Sequence, residues 1–214
     1  MTSSLADVVV VLIGQSLGTS IFTTGSSPWE PMPTAGEWGH TAVVVEGRLC
    51  RCGARGCLED YVGADAVVKR YEELRGPDGE EPQNVEARAT ELLAAVDTDP
   101  AAAAVVLEEV VRYLGAGVGN LVDVFSPRRV VLGGWFGRQL AERRMTEIIE
   151  LASRDALRTP FEDVEVVRAD LGVDAVAMGA ATLPVARFLS SGGQRDAARG
   201  GRPRATVAAD EIQT

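Results

Sequence analysis

The feature that most constrains this chain is the stretch from Gly36 to Glu59, Gly-Glu-Trp-Gly-His-Thr-Ala-Val-Val-Val-Glu-Gly-Arg-Leu-Cys-Arg-Cys-Gly-Ala-Arg-Gly-Cys-Leu-Glu. It holds the only histidine of the protein, His40, and all three cysteines, Cys50, Cys52 and Cys57. One imidazole and three thiolates supply the Cys3His set that closes a tetrahedral structural zinc site and leaves no open position. Gly53 and Gly56 flank Ala54 and Arg55 between the second and third cysteines, where a relaxed backbone lets sulfurs converge on one ion. The expectation is a knuckle in which His40, Cys50, Cys52 and Cys57 hold structural zinc. Two competing readings explain less. Cysteines buried as small hydrophobes beside a core histidine would have no reason to cluster. A disulfide would use two sulfurs of three, and an otherwise cysteine-free chain fits a reducing compartment.

At 214 residues and 46% hydrophobic content, the chain can build one sizeable core or a domain with an appendage. Its net charge of −10 argues against nucleic-acid binding by these residues, which needs clustered Lys and Arg. No apolar run has the length that spans a bilayer, and Met1 to Asp7 lacks the basic region of a signal peptide. A cytoplasmic protein is expected.

Periodicity places the elements. Asp7 to Gly14 is a β-branched run without polar alternation, as in a strand covered on both faces. Strands are expected at 8–14, 17–24, 41–45, 129–132 and 164–167, and a proline-rich loop at 25–35. Leu58 to Leu74 and Val85 to Val96 read as helical. Asp99 and Pro100 predict an N-cap followed by proline at the first position of a long helix reaching Phe125. Along that helix Leu107, Val110, Val111, Leu114, Val118, Leu121 and Val122 form one apolar stripe. Further helices are expected at 140–157 and 173–189. From Ser190 the composition turns to Gly, Ser, Arg and Ala without an apolar face, which predicts a disordered tail at 190–214 after a domain at 1–189.

The central stretch resembles the signature of the ROK family of repressors, open reading frames and sugar kinases. That pattern, Glu-x-Gly-His followed by Cys-x-Cys-Gly-x-x-Gly-Cys-x-Glu, is matched at Glu37, Gly39, His40, Cys50, Cys52, Gly53, Gly56, Cys57 and Glu59. The resemblance implies an α/β fold of the actin-like ATPase (ribonuclease H-like) type, a mixed sheet flanked by helices with the knuckle projecting beside a sugar cleft. It implies that Glu37, His40 and Glu59 contact the hydroxyls of a hexose or amino-hexose. His40 would serve both functions, with one ring nitrogen on metal and the other toward the sugar. The turn from Gly14 to Ser20, including Gly18, is similar to the second phosphate-binding turn of this fold, with Ser16 and Ser20 where glycine is common. Val130 to Gly134 resembles the adenosine-side motif, with Gly133 and Gly134 at a strand end. Trp135 and Phe136 follow where a base would need space. A plain hairpin turn and a close-packed glycine pair remain the alternatives at these two places. Trp29 and Trp38 flank the implied sugar site, with packing the simpler role for each.

The resemblance covers roughly Val8 to Leu189, the C-terminal portion of such proteins. The Asp-x-Gly-x-Thr phosphate hairpin and the Asn-Asp pair that precede it in the family, the latter supplying the catalytic aspartate, have no counterpart here. The sequence therefore predicts an α/β lobe without its N-terminal partner, no catalytic residue, and no kinase activity by this chain alone. ATP and magnesium are expected only if an intact kinase lobe is supplied. The expected function is the sugar-sensing domain of a transcriptional regulator, with the C-terminal lobe of a glucokinase-like sugar kinase as the alternative. The expected partners are the sugar and further copies of the chain.

Overall fold

The computed structural model describes residues 7–22, 36–76, 84–98, 100–172 and 174–190. Strands β1 (Val8–Ile13) and β2 (Leu17–Phe22) form a hairpin, and β3 (Arg129–Gly133) and β4 (Glu165–Arg168) follow late in the chain. The sheet order is β2-β1-β3-β4. β1 pairs with β2 antiparallel, Ile13 opposite Leu17, and with β3 parallel, while β3 pairs with β4 parallel. The mixed sheet arises because a tight turn joins β1 to β2, whereas parallel β3 and β4 need a helical crossover. Val9, Val11 and Ile13 are buried, while Val8, Val10 and Leu12 are half-buried. The unbroken apolar run is thus fully covered on one face and partly on the other.

The helices are α1 (Glu59–Val62), α2 (Ala64–Arg75), α3 (Val85–Thr98), α4 (Pro100–Phe125), α5 (Trp135–Asp155), α6 (Arg158–Glu162) and α7 (Ala175–Ser190). All seven stripe residues of α4 are buried, and α4 packs against α5 and the helices before it while α5 lies on the sheet. The core therefore sits between sheet and helices, as the 3.6-residue period of the stripe requires. α5 begins at Trp135, well before the expected Leu140. Gly134 makes this early start feasible: its φ of 77° is costly for a side-chain-bearing residue, and a Cβ there would collide with Ile13 O. Non-helical geometry at Arg144 interrupts α5.

One expected strand does not form. Residues 41–45 make only an isolated bridge, Ala42 to Cys57. The amides of Val43 and Val44 both donate to Gly56 O, at 2.8 and 3.3 Å, a convergence that no regular ladder permits. Gly56 has φ 76° and lies so close that a Cβ would strike Val44 O. The β-branched run is bent into one limb of the knuckle.

The chain divides into two compact units at Val173 and Asp174. Among the described residues the second contributes α7, where Thr182 Oγ1 donates to Gly179 O at 2.6 Å and Pro184 stands inside the helix. The Asp99 cap, the 25–35 loop with Trp29 and the tail after Ser190 lie outside the described residues. No described helix is long and apolar enough to cross a membrane.

Candidate functional site

The knuckle is built by backbone turns rather than by regular secondary structure. Cys50 N–H donates to Ala54 O at 2.8 Å and Gly53 N–H to Cys50 O at 2.9 Å, closing a tight turn around Arg51 and Cys52. A second bridge, Leu49 to Arg55, lies alongside. At the other limb a 3-10 turn, Trp38–His40, is held by Thr41 Oγ1, which donates to Trp38 O at 2.8 Å. Arg48 fastens the loop to the helices behind it. Its N–H donates to Tyr61 Oη at 3.0 Å, its Nη1 to Asp60 O at 3.0 Å and its Nη2 to Glu109 Oε2 at 2.9 Å. Its guanidinium lies 4.5 Å from the centre of the Tyr61 ring.

These turns bring His40, Cys50, Cys52 and Cys57 together, with their ligand atoms all within 4.8 Å of one another. Cys50 Sγ lies 3.6 Å from His40 Nδ1, and Cys52 Sγ lies 3.7 Å from Cys57 Sγ. Tetrahedral zinc, with bonds of about 2.3 Å to sulfur and about 2.0 Å to nitrogen, would space these pairs at roughly 3.6 and 3.8 Å. The same sulfur pair is far beyond the roughly 2.05 Å of a disulfide, and all three cysteines are free. The donor set therefore fits a structural metal ion and could hold one. Burial pushes the Cys50 thiol up to about 12 and raises Cys57 as well, while the Ala54 amide leads in lowering Cys52. A metal at this site must displace protons from the two buried thiols.

Beside the cluster stand the two carboxylates. Glu37 is exposed, and its Oε2 lies 3.7 Å from His40 Nε2, the ring nitrogen that does not face Cys50. Glu59, at the first turn of α1, is only 6% exposed. Leu17 N–H donates to its Oε2 at 3.0 Å, and Arg51 Nε contacts its Oε1 at 2.9 Å. Leu17 also packs under Gly39, where a Cβ would come within 2.8 Å of Leu17 Cβ. The 3-10 turn and the Glu59 carboxylate are thus seated around one residue, the first of β2. Trp38 is buried, its ring close against Gly117, where a Cβ would come within 2.7 Å of it. Sequence reasoning passed over Arg51, Arg48 and Tyr61; the signal for Arg51 was a cation placed between two cysteines.

Of the phosphate-side residues, Gly14, Gly133 and Gly134 come together at the C-terminal ends of parallel β1 and β3. Gly18 does not join them: it lies inside β2, opposite Leu12, so the turn after β1 is confined to residues 14–16. The reason is the hairpin register, which starts β2 at Leu17. Ala64 N–H pins Gly14 O at 2.9 Å, and Trp135 Nε1 would stand 3.1 Å from a Cβ at Gly14. The indole therefore lies against Gly14.

The mixed α/β sheet with flanking helices superposes on that of a ROK hexokinase from Thermus thermophilus with a TM-score of 0.69 at 25% identity, covering 84% of this chain and 58% of that one. Residues 2–187 match the ROK family, and the chain belongs to that family. It is 25% identical to the xylose repressor of Caldicellulosiruptor bescii over 194 residues, covering 87% of this chain and 48% of the repressor. It is 29% identical to the glucokinase of Streptomyces coelicolor over 146 residues, covering 60% of this chain and 43% of the kinase. The structure of a ROK glucokinase from Streptomyces griseus in complex with glucose and AMPPNP superposes with a TM-score of 0.68 at 25% identity, covering 86% of this chain and 62% of that one. The chain spans about half the length of the curated relatives it matches.

Proposed function

We propose that this chain is a zinc-ordered sugar-binding domain, the effector part of a ROK transcriptional regulator of carbohydrate metabolism, and that it does not itself phosphorylate the sugar. The observation that carries the reading is the division of the His40 ring between Cys50 on one side and Glu37 on the other. Metal on Nδ1 leaves the proton on Nε2, so the ring offers a fixed donor beside the Glu37 carboxylate. Vicinal hydroxyls of a hexose or amino-hexose both accept and donate, and this pair meets them with one donor and one acceptor. Glu59 adds a second acceptor. Zinc in this reading positions a binding residue and performs no chemistry.

Sugar as the ligand is supported by the glucose in the Streptomyces griseus neighbour, and the regulatory role by the xylose repressor relative. A kinase lobe is the second reading. It is favoured by Gly133 and Gly134 at the start of α5, beside Gly14, where a phosphate could meet backbone amides. Against it stand Ser16 in the turn and the Trp135 indole laid against Gly14. The test is calorimetric titration of the zinc-loaded chain with glucose, N-acetylglucosamine, mannose and xylose, paired with a coupled assay of ATP turnover. Sugar binding without turnover is expected. Sugar-dependent ATP turnover by this chain would refute the regulatory reading in favour of the kinase.

A further inference from the structure

Arg51 occupies the position between the first two cysteines, and nothing in a Cys-x-Cys metal site requires arginine there. Its Nε lies 2.9 Å from Glu59 Oε1, and its side chain is 65% exposed while that of Glu59 is 8% exposed. Exposed ion pairs contribute little by themselves. This pair differs because one partner is buried, so removing Arg51 would leave a carboxylate with a single described donor, the Leu17 amide. The backbone on either side of Arg51 is fixed by the Cys50–Ala54 and Gly53–Cys50 hydrogen bonds. Both sequence neighbours, Cys50 and Cys52, belong to the metal cluster. A long flexible side chain rooted in a loop that the metal orders has fewer arrangements to lose on pairing.

We propose that Arg51 is a positioning residue: it carries the order of the metal knuckle to the Glu59 carboxylate, and through Glu59 to the Leu17 amide at the start of β2. Metal occupancy then sets the geometry of the buried carboxylate that faces the sugar, in addition to that of His40. The inference rests on the sugar-binding reading for its functional consequence, while its structural part stands on the Arg51–Glu59–Leu17 contacts alone. Arg55 supplies the internal control, since it lies in the same loop but donates to Gly47 O at 3.3 Å and does not enter the relay.

The experiment uses the full zinc-loaded chain and the variants Arg51→Ala, Arg51→Lys and Arg55→Ala. Metal content, amide exchange at Leu17 by NMR, and affinity for glucose and N-acetylglucosamine are measured on each. Arg51→Ala is expected to keep its metal, to exchange the Leu17 amide about tenfold faster or more, and to bind sugar about tenfold more weakly. Arg51→Lys should recover part of both losses, Arg55→Ala should match the unmodified chain, and chelation of the unmodified chain should speed Leu17 exchange as Arg51→Ala does. Unchanged Leu17 protection in Arg51→Ala overturns the relay. So does loss of metal from that variant, which would make Arg51 a part of the knuckle's own fold. Should Leu17 respond as expected while no variant and no unmodified chain binds sugar, the relay stands and the sugar reading falls.

Discussion

His40 Nε2 lies 3.7 Å from Glu37 Oε2, on the side of the ring away from Cys50. One ring nitrogen thus stands toward the sulfur cluster and the other toward a carboxylate. In this account metal and sugar share one imidazole, and removing the first should weaken the second.

The knuckle is expected to contain one zinc ion per chain. Elemental analysis of protein purified without chelator should give close to one equivalent, and Cys52→Ser should lose both the metal and sugar binding. Glu37→Gln, by contrast, should keep the metal and lose sugar affinity, because Glu37 lies outside the cluster.

Metal affinity should depend on pH with a definite sign. Burial raises Cys50 to about 12 and also raises Cys57, so near neutral pH both thiols carry protons in the metal-free chain and binding releases them. Each displaced proton weakens apparent affinity by about tenfold per unit of acidification. Competition against a chromophoric chelator between pH 8 and 6 measures the slope. A flat profile would show that the thiolates are not the ligands.

Tyr61→Phe should loosen the knuckle without touching a ligand. Its hydroxyl accepts from the Arg48 amide at 3.0 Å, and losing one such acceptor costs about 1 kcal/mol, more if the amide finds no water. Thermal unfolding of the metal-loaded chain should register this as a lowered midpoint with zinc content unchanged.

The core offers a larger effect. Phe136 is fully buried, at 0% exposure, between α5 and the sheet, and Phe136→Ala should cost about 3–5 kcal/mol. Urea titration followed by far-UV circular dichroism checks this. A loss below about 1 kcal/mol would contradict the burial of Phe136 on α5.

Much of this arrangement was legible in the sequence because it rests on local chemistry. The α4 stripe fixed a helix face, the valine run of β1 fixed a buried strand, and the clustering of His40 with Cys50, Cys52 and Cys57 announced a ligand set. What escaped was set by contacts distant in sequence. Residues 41–45 have strand composition, yet Gly56, in the opposite limb, draws two of their amides to one carbonyl. Gly18 belongs both to the expected 14–20 turn and to the expected 17–24 strand, and the register of Ile13 opposite Leu17 sets it within β2. Arg51 carries no local signal beyond being a cation between two cysteines, because its partner Glu59 is set by the fold. Trp135 follows the glycine pair where a base would need space, and the fold lays its indole against Gly14, a neighbour more than a hundred residues away in the chain.

The measurement that tests the central claim most directly is calorimetric titration of one preparation with glucose and N-acetylglucosamine, before chelation, after chelation and after readdition of zinc. Binding is expected in the first state, a loss of about tenfold or more in the second, and recovery in the third. Equal affinity with and without metal, in a chain that remains folded, would contradict it.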